Sequence, residues 1–284
     1  MNREKDSTSC LKEYKVFFFD LYGTLIDIHT DEEKPQLWNF MAEWFSDHGV
    51  VYTVQELKAA YQQAVKYDLK RVERMWARQH IAAEYPEPDI GKVFRRLYVR
   101  KGVNPEADLI RDTAWAFRQR STSHLRLYAG AKNLLLRLRD AGKEVCVLSN
   151  AQSLFTLPEL EQLGVAGLFN RIYISSDYGV KKPDPAFFRI VLEEGEWDAD
   201  DCLMIGNDYE CDILGAKKVG IDGFYILSNL SPKHRWSTFP EDAENAVFCQ
   251  RGMNLDRVWP ALQICGRHGP LGSAAAGSKT RIGP

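Results

Sequence analysis

The sequence predicts an α/β protein: a Rossmann-like, doubly wound parallel sheet into which an all-helical cap domain is inserted. Two observations predict the sheet. Five short, continuous apolar segments have strand character, and helical patterns alternate with the later ones. Continuous apolar character is typical of strands that are buried on both faces of a parallel sheet. A third observation predicts the cap, since a long helical stretch separates the first two strands.

The predicted strands are short, rich in β-branched, aromatic or leucine residues, and bounded by turn residues. They are Tyr14–Phe19, Glu144–Leu148, Arg171–Ser175, Cys202–Ile205 and Gly223–Leu227. Helices are predicted between the later strands, over Ala131–Asp140, from Asp184-Pro185 to about Gly195, and over Tyr209–Val219. Pro as the first helical residue and Gly just after the last are the usual signals for helix boundaries.

The stretch between the first two strands shows no convincing strand pattern. Thr53-Val-Gln-Glu56 is a capping box that opens a long helix, and Asn104-Pro105-Glu106 starts another. A simple βαβ crossover needs only about a dozen residues, so the surplus indicates an inserted domain. We therefore predict a core at residues 12–28 and 122–230, a helical cap at 29–121, a C-terminal extension of the core at 231–265, and a disordered Gly/Ala/Ser-rich tail at 266–284.

Composition excludes several classes of protein. The 284 residues carry 37 basic and 39 acidic side chains, so the basic excess that marks a nucleic-acid binder is missing. No apolar segment approaches the roughly 18 residues that a membrane span needs, and the polar N-terminus does not resemble a secretory signal. The 6 cysteines show neither CxxC nor zinc-site spacing. We expect a cytoplasmic protein with reduced thiols and no nucleic-acid or membrane partner.

Polar side chains follow four of the predicted strands, at the point where each strand ends. In open α/β sheets, ligands bind outside the carboxyl ends of the strands, so we expect these side chains to form one site. The candidates are Asp20, Tyr22 and Thr24 after the first strand, Ser149 and Asn150 after the second, Lys182 after the third, and Asp208 and Asp212 after the fourth.

These segments resemble the four motifs of the haloacid dehalogenase superfamily, in the same order. They are Asp20-x-Tyr22-Gly-Thr24, then Ser149, then Lys182 in Lys-Pro-Asp-Pro, then the Gly-Asn-Asp-x-x-x-Asp turn at 206–212. The resemblance covers about residues 12–28 and 122–228, and the helical insert stands where the family carries its C1 cap. It implies a hydrolase that acts on a small anionic molecule through an aspartyl-ester intermediate.

The resemblance also implies roles for the residues that would contact the substrate. Asp20 would be the covalent nucleophile, and a carboxylate nucleophile divides one hard hydrolysis into two easier steps. Lys182 would neutralise Asp20 and the substrate anion. Thr24 and Ser149 would hold substrate oxygens by hydrogen bonds. Asn150 would support the same edge of the site, and Tyr22 would line it.

A metal site is implied only by the phosphatases of the superfamily. In those enzymes Mg²⁺ is held by the nucleophile, by the backbone carbonyl two residues later, and by carboxylates of the fourth motif. The corresponding groups here are Asp20, the carbonyl of Tyr22, and Asp208 or Asp212, and such hard oxygen ligands suit Mg²⁺. Because the usual acid of the fourth motif is Asn207 here, two interpretations stay open: Asp208 takes over the role, or the site holds Mg²⁺ weakly.

A second departure leaves the reaction open. Tyr22 stands where the phosphatases carry a second Asp, which acts as general acid and base, and loss of such a group typically costs about 10²–10⁴-fold in rate. The 2-haloacid dehalogenases also lack this Asp, use no metal, and release a halide that needs no proton. Carbon–halogen hydrolysis without Mg²⁺ and phosphomonoester hydrolysis with Mg²⁺ are both compatible with the motifs. The alternative is a catalytically decayed binding or regulatory protein.

Overall fold

The computed structural model describes residues 14–78, 83–232 and 248–265. The strands are β1 (Val16–Phe19), β2 (Ile26–Thr30), β3 (Thr122–Leu127), β4 (Glu144–Ser149), β5 (Arg171–Ile174), β6 (Cys202–Gly206), β7 (Asp222–Leu227) and β8 (Phe248–Arg251). Six of them form one parallel sheet in the order β5-β4-β1-β6-β7-β8. The predicted doubly wound α/β fold is confirmed.

The helices flank this sheet or lie in the insert between β2 and β3. They are α1 (Pro35–Asp47), α2 (Val54–Arg78), α3 (Ile90–Val99), α4 (Ala107–Ser121), α5 (Ala131–Asp140), α6 (Ser153–Gln162), α7 (Ser175–Tyr178), α8 (Pro185–Gly195), α9 (Gly215–Lys217) and α10 (Val258–Cys265). A π-helical turn, Tyr209–Leu214, runs directly into α9. Asp184 caps α8 by accepting a hydrogen bond from the Ala186 amide, as its place before Pro185 predicts.

Strand β1 lies at the centre of the sheet and sets the position of the site. All four of its residues are buried, because β4 and β6 pair with it on either side and a hydrophobic cluster covers each face of the sheet. The register places Phe19 opposite Val147 of β4 and Ile205 of β6. The residues that follow these three strands therefore meet at one edge of the sheet.

A two-stranded antiparallel ribbon connects the sheet to the helical insert. In this ribbon β2 pairs with β3, with Ile26 opposite Leu127. The sequence did not predict either strand. The six residues of β3 are only half-buried or exposed, so they lack the continuous apolar signal that identified the central strands. The ribbon brings the two ends of the helical insert together, and the precise domain boundaries at residues 29 and 121 stay a prediction.

Helices α1 to α4 have a hydrophobic core of their own, built largely from aromatic rings. Phe117 lies at its centre and contacts the rings of Trp38, Tyr61, Phe94 and Phe155. Such edge and offset ring contacts add to the free energy gained from burying the rings. Because Phe155 belongs to α6, the core of the insert extends to the Rossmann-like part.

The C-terminal half of α2 docks the insert onto the loop that carries Lys182. Trp76 belongs to the same buried hydrophobic cluster as residues of α8, and its indole Nε1 donates a hydrogen bond to the Gly179 carbonyl at 3.0 Å. Farther along, Pro86 forms a β-bridge with Val180. The helical insert therefore contacts the third motif directly, in addition to its connection through β2 and β3.

The described parts of the chain contain no helix that is both long enough and apolar enough to cross a membrane. Within the predicted C-terminal extension, β8 adds a sixth strand beside β7, and α10 packs near α5. The predicted disordered tail, residues 266–284, lies outside the described residues.

Candidate active site

The carboxylate of Asp20 is the centre of the candidate site. It is 8% exposed, and three side chains bond to it, one from its own turn and two from other segments. Lys182 Nζ lies 3.0 Å from Oδ1, and the Ser149 hydroxyl donates to the same oxygen at 3.2 Å. The Thr24 hydroxyl donates to Oδ2 at 3.2 Å. Both oxygens of the predicted nucleophile are therefore held in place by hydrogen-bond donors.

Lys182 is a buried cation that joins two carboxylates. Its side chain is 1% exposed, and Nζ lies 2.6 Å from Asp212 Oδ1 and 2.7 Å from the Leu148 carbonyl. Burial alone would lower the pKa of this amine, but the charges of Asp20 and Asp212 outweigh it and raise the pKa above its ordinary value. The side chain therefore remains an ammonium ion beside the nucleophile.

Asp212 shares this ammonium ion with Asp20. Its second oxygen, Oδ2, accepts a hydrogen bond from the Asp208 amide at 2.9 Å. Burial and, to a smaller extent, the charge of Asp20 raise the pKa of the Asp212 carboxyl to about 7, although the Lys182 ammonium acts to lower it. Two carboxylates and one cation give the site an excess of negative charge when both acids are ionised.

Asn150 holds the backbone of the third motif. Its amide donates to the Lys182 carbonyl at 2.9 Å and accepts from the Lys182 amide at 2.8 Å. This pair of bonds fixes the point from which the Lys182 side chain enters the site. The predicted contact of Asn150 with the substrate stays a prediction.

The Tyr22 hydroxyl belongs to a buried network that faces α6. It donates to Glu159 Oε2 at 2.5 Å and lies 3.0 Å from the Thr156 hydroxyl, while Arg118 Nε donates to Glu159 Oε1 at 2.6 Å. Burial and the negative charge of Glu159 raise the pKa of Tyr22 well above its ordinary value. Tyr22 is therefore a poor proton donor to a substrate. Arg118 and Glu159 were missed by sequence reasoning, since they lie 41 residues apart with no motif around them.

Replacing Glu159 with Gln should destabilise the fold, because the Arg118 guanidinium would lose its buried counter-ion. The side chains are 11% and 2% exposed, and breaking such a pair costs about 3–5 kcal/mol. Urea unfolding would measure the change. Glu161→Gln, on an exposed position of the same helix, is the matched control and should cost less than about 0.5 kcal/mol. Equal losses in the two variants would contradict a structural role for the Arg118–Glu159 pair.

The groups that would ligate Mg²⁺ in a phosphatase are largely engaged elsewhere. Asp208 Oδ1 accepts hydrogen bonds from the amides of Glu210 and Cys211 at 3.1 and 3.0 Å, and so caps the π-helical turn. Both oxygens of Asp212 are bonded as well. Among the described residues, no group of three or more His, Cys, Asp or Glu side chains is arranged to hold a metal. This arrangement does not fit the oxygen shell that Mg²⁺ requires, and the predicted ligand roles of Asp208 and Asp212 stay predictions.

A cavity of about 440 Å³ opens beside Lys182, between the insert and the core. Its lining includes Tyr85 and Glu87 from the insert and Asn150 and Cys211 from the core. This volume lies within the range of small-molecule pockets. The cap loop thus contributes surface next to the candidate site, as the position of the insert after the first motif predicts.

The sequence also matches a known family over most of the described core and insert. Residues 14–220 match the haloacid dehalogenase-like hydrolases. The chain belongs to this hydrolase family. The resemblance inferred from the four motifs is therefore confirmed.

Relatives of this haloacid dehalogenase-like hydrolase differ in the reactions for which they are named. Glyceraldehyde 3-phosphate phosphatase of Pyrococcus abyssi is 32% identical over 106 residues, which are 37% of this chain and 44% of the relative. Phosphoserine phosphatase of Thermus thermophilus is 28% identical over 167 residues, 57% of this chain and 66% of the relative. The matched segments thus span less than two thirds of each of these two relatives.

Among solved structures, a 2-haloacid dehalogenase from Pseudomonas syringae pv. Tomato DC3000 has a similar fold. The TM-score is 0.55 at 18% sequence identity, and the match covers 88% of this chain and 98% of that one. At this level of identity the likeness shows the fold alone. The choice between phosphate and halide chemistry therefore depends on the geometry of the site.

Proposed function

We propose that this haloacid dehalogenase-like hydrolase acts on a small anionic molecule through an ester formed on Asp20, and that its leaving group departs without a proton, as a halide does. The observation that carries this proposal is the Tyr22 hydroxyl, which donates its proton to the buried Glu159 carboxylate. An alkoxide leaving group needs a proton donor at this position, whereas a halide does not.

The contacts of Asp20 support its role as nucleophile. Lys182 and Ser149 hold Oδ1, while Thr24 donates to Oδ2. Attack by a carboxylate oxygen on a carbon that carries a halogen forms a C–O bond, and the C–X bond breaks with its electron pair leaving on the halide. Water then adds to the carboxyl carbon of the ester, which releases the alcohol product and restores Asp20.

The anionic part of the substrate is the second element of the proposal. The Lys182 ammonium lies beside Asp20, so an incoming anion would be attracted to the point where the new bond forms. The cationic side chains of α2 at positions 70, 74 and 78 are exposed to solvent and give no independent support. We therefore assign the anion to Lys182 and to the hydroxyl groups of Thr24 and Ser149.

Mg²⁺-dependent phosphomonoester hydrolysis is the second candidate. The phosphatases named among the sequence relatives favour it, since the aligned segments carry 32% and 28% identity. The acidic turn that contains Asp208 and Asp212 favours it as well. For this reaction the Asp208 and Asp212 carboxylates would have to exchange their present hydrogen bonds for metal contacts.

An assay on a panel of 2-haloacids and phosphomonoesters, with Mg²⁺ or with a chelator, separates the two candidates. We expect halide release that is insensitive to the chelator. Multiple turnovers in H₂¹⁸O add a second criterion, because attack of water on the ester carbonyl transfers heavy oxygen to Asp20, which peptide mass spectrometry detects. Phosphate release that requires Mg²⁺, without label on Asp20, would instead establish the second candidate. No turnover on any compound, with ligand binding retained, would favour the decayed binding protein.

Substitution of Tyr22 tests the assignment of the leaving group. Tyr22→Phe removes the hydroxyl but retains the ring, so we expect halide release to change by less than about tenfold, since the hydroxyl takes no part in proton transfer. A loss of more than about 10²-fold would show instead that the hydroxyl acts in the reaction. Tyr22→Asp supplies an acid at the phosphatase position, and newly gained phosphate release would identify Tyr22 as the group that blocks that reaction.

A further inference from the structure

Asn207 brings its side-chain amide to the turn that follows β1. The residue directly follows β6, and it is 4% exposed. With its nitrogen turned toward this turn, Nδ2 lies 3.2 Å from Asp20 Oδ2, 3.2 Å from the Thr24 hydroxyl and 3.1 Å from the Tyr22 carbonyl. These are hydrogen-bond distances to three oxygen atoms of the first motif.

The surrounding groups decide which way the amide faces. In the opposite orientation the amide oxygen would face Asp20 Oδ2, the Tyr22 carbonyl and the Thr24 hydroxyl at about 3 Å, and the single Thr24 proton would be the one hydrogen that these oxygens share. With the nitrogen toward Asp20, the Thr24 hydroxyl donates to Asp20 Oδ2, and the two hydrogens of the NH₂ group are available to Asp20 Oδ2 and the Tyr22 carbonyl. The other end of the amide lies 3.4 Å from the Ser228 hydroxyl, which can donate to the amide oxygen.

Gly23 permits this close approach. It has φ of 88°, a conformation that favours glycine, and a methyl group at this position would collide with the Asn207 amide. The Asp20-x-Tyr-Gly-Thr turn is therefore shaped around the amide. This packing is independent of the hydrogen-bond pattern and indicates that Asn207 has a fixed place against the first motif.

We propose that the Asn207 amide nitrogen takes the place of a divalent cation between Asp20 and the Tyr22 carbonyl, so that the nucleophile is organised without Mg²⁺. Together with Thr24 on Oδ2, and with Ser149 and Lys182 on Oδ1, it completes a set of donors on both carboxylate oxygens. This inference rests on the proposed role of Asp20 as the nucleophile and assigns a binding partner to its second oxygen.

The chemistry of the amide explains why a cation is not needed there. An NH₂ group presents hydrogen atoms to the two oxygens that a metal would otherwise hold, and an amide nitrogen is not a ligand for Mg²⁺. A carboxylate at position 207, in place of the amide, would create a need for a cation. Its oxygens would lie against Asp20 Oδ2 and the Tyr22 carbonyl, and only a cation could stabilise three such oxygens in contact.

Binding of Mg²⁺ to the whole protein tests the inference without any need for turnover. Isothermal titration calorimetry with MgCl₂ and thermal unfolding with and without Mg²⁺ would be recorded for the parent protein, Asn207→Asp and Asn207→Ala. We expect no heat of binding and no shift in Tm for the parent or for Asn207→Ala. For Asn207→Asp we expect a lower Tm in the chelator and a rise of more than about 3 °C with Mg²⁺.

Asn229→Asp is the matched control. Asn229 also donates its amide to a carboxylate, Asp27 Oδ1 at 3.2 Å, but Arg126 already pairs with that acid. The same change of charge should therefore lower Tm without rescue by Mg²⁺. Equal rescue in the two variants would show a general effect of the cation and would overturn the inference.

Mg²⁺ binding by the parent protein that is lost in Asn207→Ala would also overturn it, because the amide oxygen would then be a metal ligand. The comparison of Mg²⁺ binding between the parent protein and Asn207→Ala tests the inference even where Asn207→Asp fails to fold. If the Mg²⁺ pattern is as expected but the protein shows no turnover on any compound, the organisation of Asp20 by Asn207 stands and the proposed reaction fails. If the protein shows turnover in the chelator but the parent protein also binds Mg²⁺, the proposed reaction stands and the organisation of Asp20 by Asn207 fails.

Discussion

Asp20→Ala is expected to abolish hydrolysis, with a loss in kcat of at least about 10⁴-fold, because no neighbouring group supplies a replacement nucleophile in the same position. The fold should survive the change. Lys182 would keep its ion pair with Asp212 at 2.6 Å, and the substitution removes a charge from a site where two carboxylates share one ammonium ion. Steady-state kinetics on the compound identified by the panel assay would measure the loss, and circular dichroism would check the fold.

A matched control for this variant lies at the opposite end of the neighbouring strand. Asp201 directly precedes β6 and pairs with the exposed Lys15, far from the carboxyl edge of the sheet. Asp201→Ala should retain the activity of the parent protein, since exposed ion pairs contribute little to stability. Turnover by Asp20→Ala within tenfold of the control would refute the covalent mechanism.

Lys182→Met should have the second largest effect, on both activity and stability. Without the ammonium ion that bonds to both of them, Asp20 and Asp212 become two neighbouring buried carboxylates with no cation between them. Loss of one member of such a buried cluster costs about 3–5 kcal/mol, and loss of the charge that stabilises the reacting anion typically lowers kcat by about 10²–10³-fold. Denaturant unfolding and kinetics would measure the two effects separately.

The pH dependence of the Lys182→Met defect gives a further criterion. Burial and the charge of Asp20 already raise the pKa of Asp212 to about 7, and removal of Lys182 would raise it more. A carboxyl whose pKa is higher in the folded state than in the unfolded state binds its proton preferentially when folded, so stability falls as pH rises. The deficit in unfolding free energy should therefore be larger at pH 8 than at pH 5.

Lys181→Met is the control for the loss of a positive charge in the same loop. Its ammonium group is 38% exposed and lies 3.3 Å from Glu87. Glu87 is 11% exposed, and Lys181 acts against the burial that raises the pKa of this carboxyl. Because Glu87 keeps its hydrogen bond from Gln152 at 2.8 Å, we expect a smaller loss of stability and a weaker dependence on pH than for Lys182→Met. A similar loss in both variants would show that the loop, rather than the buried cation at Lys182, is the sensitive feature.

The positions of the core strands along the chain could be inferred because burial on both faces leaves a strong local signal. Phe17 and Phe18 of β1, like Val147 of β4, belong to continuous apolar runs, and such runs end where polar groups reach the edge of the sheet. The ribbon of β2 and β3 was missed for the opposite reason. Leu125 and Leu127 alternate with exposed residues in a short strand, and its pairing with β2 is set by contacts between distant segments.

The residues of the candidate site also divide into those that the sequence identified and those that only the structure revealed. Asp20, Thr24, Ser149 and Lys182 were identified in the sequence, because the four motifs have fixed positions at the ends of successive strands. The structure brings all four of these groups into one hydrogen-bonded cluster. Their chemical roles remain predictions that the substitutions above address.

Two parts of the site depend on contacts between distant segments. Glu159 and Arg118 lie in helices of the core and the insert, and only their packing around Tyr22 shows where its proton is held. Asn207 was visible in the sequence as a departure from the fourth motif. Its contact with Asp20 joins residues that follow two different strands, β6 and β1, and this contact could not be inferred from the motif. A residue type specifies which bonds a side chain can form, while its partners depend on folding.

The sequence by itself determined the fold class, the hydrolase family and the identity of the residues that meet at the edge of the sheet. These follow from local patterns: apolar runs that must be buried, and polar groups that must lie where the strands end. Only the tertiary structure decided which groups Tyr22 and Asn207 contact. Both sets of contacts depend on the direction of hydrogen bonds in a buried environment, and that direction is set by neighbours that are far away along the chain.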